Sequence, residues 1–101
     1  MQFGIRDKDI GYIIEKVKAF PEVDRVLIFG SRAMGNYKKG SDIDIALEGE
    51  KVTFTTTAKI KDLLQEESPM PYFFDIVDYT HCTSPDLRKH IEQYGTVLYE
   101  K

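Results

Sequence analysis

The stretch "IFGSRAMGNYKKGSDIDIAL", residues 28–47, decides the fold. It begins inside a continuous apolar segment, Val26 to Phe29, which is typical of a strand buried on both faces. A glycine and a serine, Gly30 and Ser31, end that strand, and a short helix is predicted over residues 31–36. The stretch therefore predicts a strand that turns sharply into a short helix.

The second half of the same stretch alternates between apolar and polar residues. Because successive side chains of a strand point to opposite faces, residues 42–47 are predicted to form a strand with one apolar face. The apolar face holds Ile43, Ile45 and Leu47, and the opposite face holds Asp42, Asp44 and Ala46. Two carboxylates are thus predicted to share one face of the sheet.

The flanking segments predict the remaining elements from apolar spacing, helix caps and prolines. The first are a helix over residues 7–19 with Asp7 as its N-cap and a helix over residues 54–66. A break in secondary structure at Pro69 and Pro71 comes before a strand from Tyr72 to Asp78. A helix begun by Ser84 and Pro85 and ended by Gly95 follows, and then an extended tail from Thr96 to Tyr99. This order predicts a single α/β (α+β) domain over residues 1–101, a small mixed β-sheet with helices packed on it.

Composition limits the class of protein. The net charge of −3 argues against a domain that holds nucleic acid mainly through its phosphates, because such domains carry a basic surplus. The longest apolar run, Val26 to Phe29, is far shorter than the ~20 residues that span a bilayer. With one cysteine, Cys82, no internal disulfide can form. We therefore expect a cytoplasmic protein without a membrane segment.

The three glycines of the stretch suggest a phosphate-binding loop, but the common patterns fail. A P-loop requires Lys and then Ser or Thr after its second glycine, whereas Asn36 follows Gly35 and Ser41 follows Gly40. The dinucleotide pattern G-x-G-x-x-G is absent as well. A calcium loop starting at Asp42 would need glycine where Leu47 stands. Gly35 and Gly40 are therefore predicted to be turn residues.

A different phosphate site fits the residues better. A glycine and a serine that follow a buried strand and open a helix can hold an anion with a hydroxyl and main-chain N–H groups. Asp42 and Asp44 supply the hard oxygen ligands that suit Mg²⁺, which binds through carboxylates and substrate phosphates. The alternative is a solvated D-x-D face beside an ordinary turn. The combination of both features favours an anion site beside a magnesium site.

Asp75 is the third candidate carboxylate. It interrupts the otherwise apolar strand "PYFFDIVD", and alternation places it between Phe73 and Val77 on one face. An unpaired carboxylate among apolar neighbours is costly, so we expect a cation or a polar network to hold it. The alternatives are an edge strand with Asp75 in solvent, or Asp78 at the strand end as the functional acid.

These residues resemble a known family. "GSRAMGNYKKGSDID" fits the signature G-S-x₁₀-D-x-D of the minimal nucleotidyltransferases, a branch of the DNA polymerase β superfamily, and "FDIVD" is similar to that family's third-carboxylate strand. The resemblance covers nearly the whole chain. It implies the polymerase β-like palm fold and a minimal nucleotidyltransferase domain. It also implies transfer of AMP or another nucleotide from a nucleoside triphosphate, such as ATP, with two Mg²⁺ ions.

The resemblance also assigns roles to residues. Gly30 and Ser31 would hold the triphosphate, and Arg32 would add charge to it. Asp42 and Asp44 would ligate both metals. Asp75 would ligate the metal that activates the attacking hydroxyl and would take its proton. Lys38 and Lys39 are expected in a solvated turn, with triphosphate contact as the alternative.

The resemblance implies a partner too. Minimal chains of this kind resemble the transferase half of two-gene systems in which a helical HEPN protein is a separate chain. There the nucleotidyltransferase acts as an antitoxin that adenylylates a tyrosine of the toxin, or pairs with a helical substrate-binding subunit. The HEPN pattern, an arginine four to six residues before a histidine, is absent around His81 and His90. His81 and Cys82 are expected to be surface or partly buried strand-end residues rather than a metal site, and His90 is expected to be exposed in the last helix.

A rival hypothesis from another class remains. The chain could be a non-catalytic binding module that neutralises or scaffolds a helical partner by contact alone. The carboxylates argue against it, because a scaffold has no need to keep three of them.

Overall fold

The computed structural model describes residues 2–66 and 71–101. Four strands form one mixed sheet in the order β3-β2-β1-β4, in which β1 is antiparallel to β2 and β4, and β2 is parallel to β3. In chain order the elements are α1 (Asp7–Lys18), β1 (Arg25–Phe29), α2 (Gly30–Met34), β2 (Ile43–Glu48), α3 (Phe54–Glu66), β3 (Phe74–Asp78), α4 (Pro85–Tyr94) and β4 (Thr96–Glu100). The predicted α/β architecture is confirmed.

The two faces of the sheet are covered by different helices, as the alternation in β2 predicted. One face packs against α1 and α3 in the main core, which contains Ile13, Val17, Ile28, Ile43, Ile45, Leu47, Ile60 and Leu64. The other face packs against α4 in a smaller cluster of Leu27, Phe29, Ala46 and Ile91. Asp44 projects from this second face, because it is the neighbour of Phe29 across the antiparallel pair.

Several predicted boundaries shift for identifiable reasons. Arg6 rather than Asp7 occupies the N-cap of α1, so the predicted cap is wrong by one residue. The short helix α2 covers Gly30–Met34 rather than residues 31–36, because Gly35 turns left-handed (φ 88°) and its N–H donates to the Ser31 carbonyl. At the end of the chain, Ser84 caps α4 and Pro85 opens it, as predicted.

The strand β3 starts two residues later than predicted, at Phe74. The Gln65 side chain of α3 donates to the Tyr72 carbonyl (2.9 Å) and accepts from the Phe74 N–H (2.8 Å). These hydrogen bonds tie the entry of β3 to α3. The predicted break at Pro69 lies outside the described residues.

Within the described ranges, no helix combines the length and apolar character that crossing a bilayer requires.

Candidate active site

The carboxylates of the signature meet where β2 begins. Asp44 lies in register with Asp75 of the neighbouring parallel strand β3, so both side chains project from the face that α4 covers. Asp42 precedes β2 and is exposed, as is Asp75, whereas Asp44 is half-buried. The structure therefore brings all three predicted acids to one end of the sheet.

The surroundings of Asp75 differ from the prediction. β3 is an edge strand, Asp75 is exposed, and its predicted apolar neighbour Phe73 is 71% exposed. The expectation that apolar neighbours enclose this carboxylate is wrong, because the open sheet edge gives it access to water. Its position beside Asp44, rather than burial, singles it out. Asp78 points to the opposite face and accepts from the His81 ring at 2.7 Å.

Asp44 is electrostatically strained. Burial raises the pKa of its carboxyl, the charges of Asp75 and then Asp42 raise it further, and the charge of Arg32 opposes them, which leaves a pKa of about 6. The charged form of Asp44 is therefore less favourable than that of an ordinary exposed aspartate, and a nearby cation would stabilise it. This is the electrostatic setting in which a bound divalent ion relieves repulsion between carboxylates.

The donor chemistry fits Mg²⁺, although the ligands are not fully assembled. Across residues 2–66 and 71–101, no three His, Cys, Asp or Glu side chains are already grouped closely enough to hold a metal ion. Mg²⁺ typically takes only one or two carboxylates from a protein and completes its shell with water and substrate phosphates. Asp44 with either neighbour meets that requirement, so the site suits an ion that arrives with a triphosphate.

The contact with Asp44 requires a glycine as the first residue of α2. Gly30 has a φ of 73°, in the left-handed region that side chains disfavour. A Cβ at this position would also overlap Oδ2 of Asp44 and lie 2.9 Å from its Cγ. The Gly-Ser half and the Asp-x-Asp half of the signature are therefore in direct contact, which explains why their spacing matters.

The main-chain amide of Gly30 has a partner that the sequence did not reveal. Its N–H donates to Nε2 of His90, at a distance of 2.9 Å. The expectation that His90 is exposed is wrong, because this residue of α4 is half-buried and its ring contacts the turn at Gly30. A signal was present, since His90 lies three residues after Leu87 and one before Ile91, on the apolar stripe of the helix.

Arg32 has a different position from the one its predicted role requires. It is only 3% exposed. Its guanidinium donates twice to the Ser41 carbonyl (3.0 and 2.8 Å) and once to the Phe3 carbonyl (2.8 Å). This geometry does not fit direct contact with a triphosphate, because the side chain is buried and three of its five N–H donors bind main-chain carbonyls. Arg32 instead fixes the main chain just before Asp42.

The segment between the two halves of the signature is a solvated turn. Lys38 and Lys39 are exposed, and the Lys38 N–H donates to the Ser41 hydroxyl. Gly40 is left-handed with open space around it. The turn prediction for these residues is confirmed.

Two of the three carboxylates lie at the surface, since Asp42 and Asp75 are exposed. Three surface hollows, of about 420, 300 and 290 Å³, lie elsewhere on the described part of the chain, and Asp42, Asp44 and Asp75 line none of these three. Asp42 and Asp75 are therefore accessible from solvent.

Comparison with known proteins assigns the family. A family model described as "Polymerase beta, Nucleotidyltransferase" matches residues 12–101. The chain belongs to this nucleotidyltransferase family. Among curated relatives, the "Probable protein adenylyltransferase MntA" of Haemophilus influenzae is 30% identical over 101 residues, which cover 99% of this chain and 87% of the relative.

Solved structures share the nucleotidyltransferase fold. A crystal structure of a toxin-antitoxin with AMP-PNP has a TM-score of 0.74 at 20% identity, over 96% of this chain and 75% of that one. A structure of the tri-AMPylated Shewanella oneidensis HEPN toxin in complex with MNT antitoxin has a TM-score of 0.73 at 19% identity, over 96% of this chain and 74% of that one. At these identities the likeness demonstrates the fold, and the expected polymerase β-like architecture is confirmed.

Proposed function

We propose that this chain is a Mg²⁺-dependent protein adenylyltransferase that moves AMP from ATP to a tyrosine hydroxyl of a separate helical HEPN-type protein, and so acts as its antitoxin. The observation that carries the proposal is the position of Asp44, which lies beside Asp75 and directly under Gly30. A carboxylate pair in contact with a Gly-Ser turn joins a metal site to a triphosphate site. We place the reaction in the cytoplasm, where ATP is available.

The proposed metal ligands are Asp42, Asp44 and Asp75. Two Mg²⁺ ions bound there would stabilise the charge of the attacking and leaving oxygens in an in-line displacement. The raised pKa of Asp44, at about 6, supports this assignment, because a cation relieves the repulsion that burial and two neighbouring acids impose. Near neutral pH Asp44 is mostly ionised and available as a ligand.

The chain's own residues bind the triphosphate and move the proton. We assign the triphosphate to the turn at Gly30 and Ser31, where the Ser31 hydroxyl and the main-chain amides that follow Gly30 donate to phosphate oxygens. The acceptor oxygen forms a bond to the α-phosphorus while the bond to the bridging oxygen of pyrophosphate breaks. Asp75 accepts the hydroxyl proton, a role for which its exposure suits it.

The exposed carboxylates support a macromolecular acceptor. Asp42 and Asp75 are exposed, so an acceptor side chain can reach them from outside. The names of the similar proteins point the same way, since they include a protein adenylyltransferase and an AMPylated HEPN toxin bound to an MNT antitoxin. A hetero-oligomer of this chain with a helical protein is the arrangement we propose.

A transfer assay tests the proposal. The chain is incubated with Mg²⁺, ATP and the HEPN-type protein encoded by the adjacent gene, and the intact mass of that protein is measured. We expect the mass to increase by one or more AMP units at tyrosine, with no increase in EDTA or after substitution of the modified tyrosine by Phe.

The same assay distinguishes the enzymatic proposal from the rival hypothesis of a non-catalytic binding module. A binding module would inhibit the partner without ATP and without any change in the partner's mass. That result would replace the enzymatic proposal with neutralisation by contact.

A further inference from the structure

His90 contacts the proposed nucleotide site from a helix outside the signature. Its Nε2 accepts the Gly30 N–H at 2.9 Å, across 60 residues of sequence. Gly30 is the first residue of α2, and the first N–H groups of a helix have no partner within the helix. The N-cap residue is Phe29, whose side chain cannot accept a hydrogen bond. His90 therefore accepts a hydrogen bond from a free N–H at the start of α2, as a polar N-cap side chain usually does.

Two aromatic rings fix the orientation of the histidine. Phe29 meets the His90 ring edge to face at 5.9 Å between centroids, and the Tyr94 ring lies at 5.2 Å with a tilt of 45°. The helix itself is held against the sheet by Ile91, which is 2% exposed. A ring held this way loses little freedom when it accepts the hydrogen bond, so the contact is preorganised.

The contact determines which groups can face a phosphate. As acceptor, Nε2 carries no proton, so the ring proton must lie on Nδ1. The Gly30 amide is then directed at α4 and is not free for phosphate, which leaves the Ser31 hydroxyl and the following amides as donors. Gly30 is also left-handed, and its lack of a Cβ leaves room for Asp44.

We propose that His90 is a positioning residue for the nucleotide site, which holds the Gly30 amide so that Ser31 and the amides after it are correctly placed for the triphosphate. This inference rests on the proposed function. It predicts an effect on nucleotide affinity rather than on the chemical step, because His90 bonds to the binding turn and not to the carboxylates.

Two variants separate the hydrogen bond from the ring packing. His90→Phe keeps an aromatic ring beside Phe29 and Tyr94 but removes the acceptor. His90→Gln keeps an acceptor at similar reach but removes the ring. Calorimetric titration with Mg²⁺ and a non-hydrolysable ATP analogue should show binding about tenfold weaker for His90→Phe and within about twofold of wild type for His90→Gln. In the transfer assay, the KM for ATP should rise by the same factor with little change in kcat.

The result that would overturn the inference is binding by His90→Phe as tight as wild type or tighter, since tighter binding would mean that the histidine blocks the site. If the wild-type protein neither binds nor transfers nucleotide, the proposed function and this inference both fail. The two failures are therefore distinct.

A measurement on the wild type alone covers the case in which His90→Phe does not fold. Long-range ¹H–¹⁵N correlation in the nucleotide-free protein should show His90 with its proton on Nδ1, and the Gly30 amide should exchange slowly with solvent. A proton on Nε2, or a fast-exchanging Gly30 amide, would contradict the inference.

Discussion

Asp44→Asn should make the metal-free protein more stable at neutral pH and abolish its transfer activity. Burial together with the charges of Asp75 and Asp42 raises the pKa of Asp44 to about 6, so its ionised form is unfavourable in the folded state. Asparagine has nearly the same shape and carries no charge. The substitution removes the repulsion but also removes a proposed metal ligand.

The pH dependence gives this prediction a definite sign. The folded pKa of Asp44, about 6, lies above its ordinary value of 3.8, so between these pH values the folded state binds more protons than the unfolded state. The contribution of Asp44 to the free energy of unfolding therefore falls as pH rises from about 4 to 6 and stays unfavourable above that range. Because the group is partly solvated, we expect Asp44→Asn to gain about 1 kcal/mol at pH 7.5 and less at pH 5.

Urea denaturation in EDTA at both pH values measures this gain. Asp78→Asn is the matched control, because Asp78 lies on the opposite face and pairs with His81. The same preparations should show transfer reduced at least about 100-fold by Asp44→Asn. A loss of stability at pH 7.5, or a gain that does not depend on pH, would mean that the charge of Asp44 is not destabilising.

Gly30→Ala should lose both stability and activity, and more of each than Gly35→Ala. Both glycines are left-handed, with φ values of 73° and 88°, so alanine costs about 1–2 kcal/mol of backbone strain at either position. Only at Gly30 does the added Cβ meet another group, since it overlaps Oδ2 of Asp44, whereas nothing lies within 4 Å at Gly35. We expect a total cost of about 3–4 kcal/mol at Gly30.

The difference between the two alanine variants isolates the contact with Asp44. It is measured by urea denaturation of each variant, and by the transfer rate of whatever remains folded. If both substitutions cost the same, backbone conformation alone explains the glycine, and the proposed link between the two halves of the signature is absent.

Local patterns predicted most of the fold. The alternation of residues 42–47 identified the two faces of β2, and the serine-proline pair predicted the start of α4, because these signals depend only on neighbouring residues. The pairing of β4 with β1 was not predicted, since the sequence of an extended segment does not indicate which strand it pairs with. Strand order requires knowledge of how separate segments pack.

The residues of the candidate site were predicted in part. Spacing and resemblance selected Asp42, Asp44 and Asp75, and the structure brings these acids to one end of the sheet. The direction of the Arg32 guanidinium and the contact of His90 with Gly30 escaped prediction, because both depend on tertiary packing. Arg32 shows the reason most clearly. A cation within a phosphate signature suggests phosphate contact, but in the structure its guanidinium donates to main-chain carbonyls instead.

The most direct test of the central claim compares two acids on the same strand. Wild type, Asp75→Asn and Asp78→Asn are each incubated with Mg²⁺, ATP labelled at the α-phosphate and the HEPN-type partner, and label on the partner is followed over time. Asp75 is in register with Asp44, whereas Asp78 points to the other face. We predict that wild type and Asp78→Asn label the partner at similar rates and that Asp75→Asn does not. Equal labelling by both variants, or none by wild type, would contradict the claim that these carboxylates carry out nucleotidyl transfer.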